Sequence, residues 1–395
     1  MRNLALGKTG LNKLRAHHKE LKAADFDDSL KSVLPGEWCL LVHKDSPESW
    51  LAYINPMVDD KYAQAQVVGQ VQKTSLTTPV QYIEDSITKA FQLRQRYKDY
   101  EKGCRAFYGS ADGLPGLIID IFKEVGIIQI NTAGLDSFRS EIRTICEKLY
   151  SRKCYFLDNE KYREKESLPT HPKEEVPDLV IYENGIELKV RKEVLQKVGF
   201  YYDHRENRAQ LSNYIQRLNK TFTSGVDLFS YVGAWGLCAL KAGVEKVDFV
   251  DQGDFSHEIA ECLKLNGLDE RGKYSRSDVF RFLDDAHYKN KKYDLIMCDP
   301  PAFAKSALHK PQALEGYSKL HRKVFKSLAP GGVVAFSSCT HYVNHEEFQK
   351  NILEAAQRES KKIQLIYCGM QGWDHPVASL ADRSNYIKSY FYIVE

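Results

Sequence analysis

Val226-Asp227-Leu228-Phe229-Ser230-Tyr231-Val232-Gly233-Ala234-Trp235-Gly236 runs from an apolar stretch into a loop of small residues and then into a helical pattern. A short apolar run bounded by such a loop reads as a buried strand feeding a helix. Gly233 lets the backbone turn sharply and come close to a bound cofactor. The run Lys246 to Val250 reads as the next strand and ends in Asp251. A carboxylate there can accept hydrogen bonds from both hydroxyls of a ribose. Phe229, Tyr231, Gly233 and Asp251 are therefore candidate contacts for a nucleoside cofactor. The pattern is not the dinucleotide fingerprint, because Tyr231 stands where G-x-G-x-x-G needs its first glycine. A strand–glycine–helix turn is also common as plain scaffolding.

Working outward, Ser277-Asp278-Val279-Phe280 falls where a side chain such as Asp278 can meet an adenine. Asp299-Pro300-Pro301-Ala302-Phe303 ends the apolar run Tyr293 to Cys298, and Ser337-Ser338-Cys339-Thr340 ends the run Gly332 to Phe336. Both runs read as buried parallel strands, so Asp299 and Cys339 face the same side of a sheet. In open α/β sheets that is the side where ligands bind. A carboxylate that can hold a ring nitrogen, beside a thiol that can attack a ring carbon, suits carbon methylation of a pyrimidine. Taken in order, these motifs fit S-adenosylmethionine better than NAD. The bland readings stand beside this one. A lone cysteine at a strand end is usually packing, and Cys298 is read as core. Arg205 and Arg208 could bind a cofactor carboxylate or an RNA phosphate, or form an exposed ion pair. His17, His18 and His375 have no metal-ligand companions at useful spacing, so no metal is expected.

The chain has 395 residues, too many for one compact core, so two or three domains are expected. Its 28% charged and 43% hydrophobic residues are ordinary for a globular protein. No apolar run approaches the roughly 20 residues a membrane span needs. The 9 dispersed cysteines contain no C-x-x-C, which suggests a reducing compartment and a cytoplasmic enzyme. A net charge of +3 leaves nucleic acid open, so the distribution of charge matters more. Arg2, Lys8, Lys13, Arg15, Lys19 and Lys22 crowd the N-terminus. Lys89, Arg94, Arg96, Lys98, Lys102 and Arg105 interleave with Phe91, Tyr97 and Tyr100. Such stretches can neutralise phosphates and stack on bases, or can be ordinary solvated helices.

Three regions emerge. Residues 1–75 are short strands and turns, with Trp38 to His43 and Trp50 to Ile54 as a hairpin closed by Asn55-Pro56. Residues 76–185 begin with a helix near Ile83 to Tyr100, turn at Asp112-Gly113-Leu114-Pro115-Gly116 into a hairpin of Leu117 to Phe122 with Val125 to Asn131, and add a helix at Phe138 to Leu149. The stretch Asp158 to Pro177, rich in Lys, Glu and Pro, reads as an exposed connector. Residues 186–395 alternate strands and helices as a doubly wound parallel sheet does.

With these residues quoted, the chain resembles the class I S-adenosylmethionine-dependent rRNA methyltransferases, and within them the large-subunit cytosine-5 enzymes of the RlmI type. The resemblance is carried by Asp112-Gly113-Leu114-Pro115-Gly116-Leu117, Gly199 to Arg208, Leu228 to Gly233, Asp299-Pro300-Pro301 with Phe303, Ser338-Cys339-Thr340-His341 and Asp374-His375-Pro376. It implies a Rossmann-like seven-strand methyltransferase sheet at residues 186–395 whose last strand pair is antiparallel, Tyr386 to Val394 being the closing strand. It also implies a PUA-like RNA-binding β domain at 1–75 and a small α+β domain at 76–185. The implied cofactor is S-adenosylmethionine and the implied partner is rRNA; a homodimer is left open. Cys339 would be the nucleophile. Asp299 would hold the cytosine ring and also line the cofactor site with Arg205, while Pro300, Phe303 and Arg208 would meet the substrate. Three positions depart from the family: His204 where Gln is usual, Val198 where Thr is frequent, and Ser337 where many relatives have a further cysteine. Competing readings are methylation of a base nitrogen (guanine N7 or an exocyclic amine) and an RNA-binding protein without catalysis. A nicotinamide oxidoreductase is disfavoured by the missing glycine.

Overall fold

A computed structural model describes residues 1–72, 78–195, 199–304, 306–379 and 384–395, so Val198 lies outside the described residues. The chain divides into two units, residues 1–177 with 195–200 and residues 178–194 with 201–395.

The first unit opens with β1 (Arg2–Ala5), α1 (Lys8–Arg15), β2 (Glu20–Leu21), β3 (Glu37–His43), β4 (Ser46–Ile54) and β5 (Ala65–Val71). They form one sheet in the order β1-β3-β4-β5-β2. The expected hairpin is β3 with β4, which sets Trp38 opposite Tyr53 and Leu41 opposite Trp50. The chain continues through α2 (Pro79–Arg94), β6 (Cys104–Tyr108), β7 (Leu117–Ile121), β8 (Val125–Ile130), α3 (Ala133–Asp136), α4 (Arg139–Tyr150), β9 (Lys153–Phe156) and α5 (Glu160–Lys165). Strands β6 to β9 form a second sheet in sequence order. Aromatic side chains of the first sheet tie the two together. The Trp38 indole N–H donates to the Gly134 carbonyl at 2.7 Å, and the Tyr53 hydroxyl donates to the Pro115 carbonyl. Position 134 must be glycine, because a Cβ there would fall 2.1 Å from the Tyr53 ring.

Two expectations are corrected in this unit. In the basic–aromatic stretch, Arg94 makes a paired hydrogen bond to both oxygens of Asp112 and Arg105 does the same with Asp120, all four side chains being buried or nearly so. Phe91 packs edge-on against Tyr150. Two of the cations thus belong to the interior, where a bidentate guanidinium–carboxylate pair satisfies both charges. The stretch 158–177 is not merely an exposed connector. It contains α5, whose Arg163 is buried and paired with Asp136, and Glu174 pairs with Arg143.

The second unit begins with the antiparallel hairpin β10 (Leu179–Glu183) and β11 (Ile186–Val190). There follow α6 (Arg205–Arg217), β12 (Ser224–Leu228), α7 (Ala234–Ala242), β13 (Lys246–Asp251), α8 (Ser256–Leu265), β14 (Gly272–Arg276), α9 (Val279–Tyr288), β15 (Tyr293–Cys298), α10 (Lys310–Ser327), β16 (Leu328–Ser338), α11 (His345–Arg358), β17 (Ile363–Gly369) and β18 (Lys388–Val394). The seven strands from β12 onward lie in the order β14-β13-β12-β15-β16-β18-β17. β12 to β16 are mutually parallel, and β18 runs antiparallel to both neighbours. This is the α/β methyltransferase-type sheet the sequence predicts, with the closing strand where expected. Near-continuous apolar strands make it possible: Val226, Leu228, Leu295, Ile296, Val334 and Phe336 are all fully buried between helices on both faces. The chain leaves β12 in one direction for β13 and β14 and returns on the other side as β15. The crevice at the C-terminal ends of β12 and β15 is therefore the switch point where such sheets bind ligands. Among the described residues no helix is long and apolar enough to cross a membrane, and no group of three or more His, Cys, Asp or Glu side chains is placed to hold a metal.

Candidate active site

The turn after β12 is tightly wound. Phe229, Tyr231 and Gly233 all have left-handed backbone, with φ of 63°, 48° and 84°. For the two aromatic residues that conformation costs on the order of 1 kcal/mol each, so surrounding hydrogen bonds must hold it. Tyr231 N–H donates to Oδ2 of Asp251 at 3.0 Å, and Ser230 N–H donates to the Val250 carbonyl at 3.1 Å. Gly233 has a second reason to lack a side chain: a Cβ would fall 2.6 Å from Ile259. Asp227, inside β12, accepts Gly236 N–H at 2.8 Å and anchors the start of α7. Burial pushes its carboxyl up to about 8, the Gly236 bond opposing, and the nearby Asp299 and Asp251 charges add to the rise.

Asp251 also accepts Gly253 N–H at 2.9 Å. Each of its oxygens thus holds one backbone donor and keeps a lone pair for a hydroxyl. Half-buried at its strand end, it fits the ribose role. Asp278 instead caps α9, accepting Arg281 N–H at 3.0 Å, and takes the Gln252 amide at 2.6 Å. It fixes the neighbouring loop; its side chain is exposed.

Asp299 stands at the end of β15 with Pro300 buried behind it. The Trp235 indole N–H donates to its Oδ2 at 3.1 Å, and His204 Nε2 lies 3.4 Å from its Oδ1. Phe303 stacks on Tyr317 with centroids 4.6 Å apart and planes at 30°, so it walls the crevice from the Asp299 side. The Tyr317 hydroxyl in turn contacts the Ser338 and Thr340 hydroxyls, each at 2.9 Å, and braces the residues on either side of Cys339. Cys339 is half-buried at the end of β16. Burial raises the Tyr201 and Tyr317 hydroxyls above their ordinary range, and the negative charges of Cys339 and Asp299 act on both in the same direction. The two predicted catalytic side chains follow neighbouring parallel strands, β15 and β16, at the same end of the sheet. Burial, with the nearby Asp299 and Asp227 charges adding to it, pushes the neighbouring Cys298 well up, as befits a core thiol.

The arginines differ from expectation. Arg208 is buried and pairs with Glu183 of β10, one contact being 2.8 Å, while also donating to the Tyr201 carbonyl at 2.9 Å. Arg205 is buried against Asp374 at 3.2 Å and lies over the Trp373 ring. Both are ion pairs, but interior ones. A desolvated guanidinium paired with a carboxylate holds the hairpin and the Asp374-His375 segment to α6. Sequence reasoning missed Trp235, Tyr201 and Tyr317, which look like ordinary core aromatics. It also missed Lys388, whose signal was a charge inside an otherwise apolar closing strand.

Residues 110–370 match a family model described as S-adenosylmethionine-dependent methyltransferase. The ribosomal RNA large subunit methyltransferase I of Aeromonas salmonicida is 33% identical over 294 residues, covering 72% of this chain and 73% of that one. The protein of the same name from Shewanella amazonensis is 32% identical over equal shares. A solved Streptococcus mutans chain, described as a SAM-dependent methyltransferase, superposes over 100% of both chains with a TM-score of 0.78 at 20% identity. Another, solved in complex with SAH, does so with a TM-score of 0.80. At that identity the structures establish the fold.

Proposed function

The chain belongs to the S-adenosylmethionine-dependent methyltransferase family, and from that premise we propose that it methylates carbon 5 of a cytosine in large-subunit ribosomal RNA. The rRNA substrate is supported by the names its relatives carry. The observation that carries the carbon-5 reading is Cys339: a half-buried thiol on the strand next to Asp299, where seven of the other eight cysteines are buried.

The residues of the β12 turn and Asp251 fit a nucleoside cofactor, since they offer a carboxylate with spare lone pairs beside a sharply wound backbone. S-adenosylmethionine supplies an electrophilic methyl group, which carbon 5 takes up once it has become enamine-like. Cys339 makes it so: its thiolate forms a bond to carbon 6, and the carbon 5–carbon 6 π electrons move toward the ring. Asp299, in its protonated form, donates to ring nitrogen 3 and passes the proton to it as negative charge develops there, while its other oxygen accepts from the exocyclic amine. Trp235 and His204 fix the carboxylate in place. A water molecule then takes the carbon-5 proton, the C–H electron pair re-forms the carbon 5–carbon 6 double bond, and the thiolate leaves. Phe303 stacks on or walls the base, which must be unpaired or flipped out to reach the thiol. Residues 1–75 serve as the PUA-like RNA-docking domain in this reading, through surface cations such as Lys8 and Lys19.

The test is a covalent trap. RNA carrying 5-fluorocytidine at the target cannot lose fluorine as it would a proton, so the Cys339 adduct should persist through denaturation and be found on the Cys339 peptide. Turnover of unsubstituted RNA with no adduct from the fluorinated RNA would contradict the covalent route and favour methylation at nitrogen.

A further inference from the structure

Strand β18 begins at Lys388, directly opposite Ser338 of β16. Lys388 is 2% exposed, between Ile387 and Ser389, which are wholly buried. An ammonium in such a position normally requires a counter-charge. Among the described residues no carboxylate lies within ion-pair distance of it. Its Nζ instead donates to two neutral carbonyls, Thr340 at 2.7 Å and Tyr386 at 2.8 Å. Thr340 directly follows Cys339. The ionisable groups around this point are Cys339 itself, Tyr201 and Tyr317, which feel its charge, and His345 of α11, which Lys388 disfavours as a cation. Among the described residues, Cys339 is the group whose anion acts to hold the charge on the Lys388 ammonium.

We propose that Lys388 is a positioning residue for Cys339, clamping the Thr340 carbonyl to fix the turn that carries the thiol and supplying the positive charge that favours the thiolate before RNA binds. The thiol proton leaves to solvent, the electron pair stays on sulfur, and the ammonium keeps its own proton. Burial pulls the Lys388 ammonium down, the Cys339 anion opposes it in part, and the net result is about 8. The influence is mutual, so the ammonium stabilises the thiolate by the same interaction. At neutral pH Lys388 is charged; above about 8 the charge and its help are lost.

This inference rests on Cys339 being the nucleophile, but its test needs no turnover. The rate at which iodoacetamide alkylates Cys339 is followed from pH 6 to 10 in the full chain without RNA, quantified on the Cys339 peptide. The wild-type midpoint should lie below the roughly 8.5 of a free cysteine. Lys388→Met should raise it by about one unit or more, slowing alkylation at pH 7 about tenfold, and Lys388→Arg should restore most of it. A change in access alone would scale the rate at every pH and leave the midpoint unmoved, which overturns the proposal. If Lys388→Met does not fold, the wild-type profile still decides: a midpoint at or above 8.5 overturns it. Methyl transfer by a Cys339→Ala variant would instead sink the nucleophile reading, a separate outcome from either of these.

Discussion

His204 holds Nε2 at 3.4 Å from Oδ1 of Asp299, while Asn207 Nδ2 sits 3.2 Å from His204 Nδ1. Asn207 Nδ2 also donates to the Met370 carbonyl at 3.0 Å, which identifies it as the amide nitrogen. The neutral imidazole therefore accepts at Nδ1 and carries its proton on Nε2, facing the carboxylate. Burial opposes a charge on His204, but the Asp299 carboxylate outweighs burial and raises the imidazole above its ordinary 6.5.

A raised histidine stays cationic further up the pH scale, so Asp299 is held in an ion pair at acid pH and released only as pH rises through the histidine's raised value, above 6.5. The expected kcat/KM profile has an acid limb centred above 6.5. His204→Gln, which keeps an N–H for Asp299 but cannot titrate, should abolish that limb and retain activity within about tenfold at pH 8. Profiles of both proteins from pH 5.5 to 9 check this; an acid limb that survives in the Gln variant counts against His204 as its source.

Asp251 accepts from the Tyr231 and Gly253 backbone N–H groups, which fixes its carboxylate beside the β12 turn. Asp251→Ala should weaken S-adenosylmethionine binding about 10- to 100-fold, equivalent to roughly 1.4 to 2.8 kcal/mol. Calorimetric titration of the RNA-free protein measures it directly, and an unchanged Kd would remove Asp251 from the cofactor site.

Arg208 and Glu183 form a buried pair, so truncating one leaves the other charge stranded. Arg208→Ala should lower unfolding stability by about 3 to 5 kcal/mol, read by denaturant titration. A surface arginine that met RNA would instead weaken RNA binding while leaving stability within about 0.5 kcal/mol, and that pattern would contradict the packing role.

Much of this architecture is legible from local pattern. The apolar runs ending in Asp251, Asp299 and Cys339 are buried parallel strands because both faces of the sheet are covered, and their order gives the ligand-binding edge. What is not legible depends on pairings distant in sequence. Arg208 reads as a surface cation until Glu183, 25 positions earlier, folds onto it. Arg94 and Arg105 are taken inside by Asp112 and Asp120 in the same way. Lys388 gains its meaning only when β18 inserts between β16 and β17 and brings it to the Cys339 turn. Spacing finds the strand ends; the partners that tune them come from the register of the sheet.

The most direct measurement is methyl transfer from labelled S-adenosylmethionine into undermodified large-subunit rRNA, with the product digested to nucleosides. Label should appear in 5-methylcytidine with the natural chain and be absent with Cys339→Ala. Label in another nucleoside, undiminished by Cys339→Ala, would contradict cytosine-5 chemistry while leaving the methyltransferase itself standing.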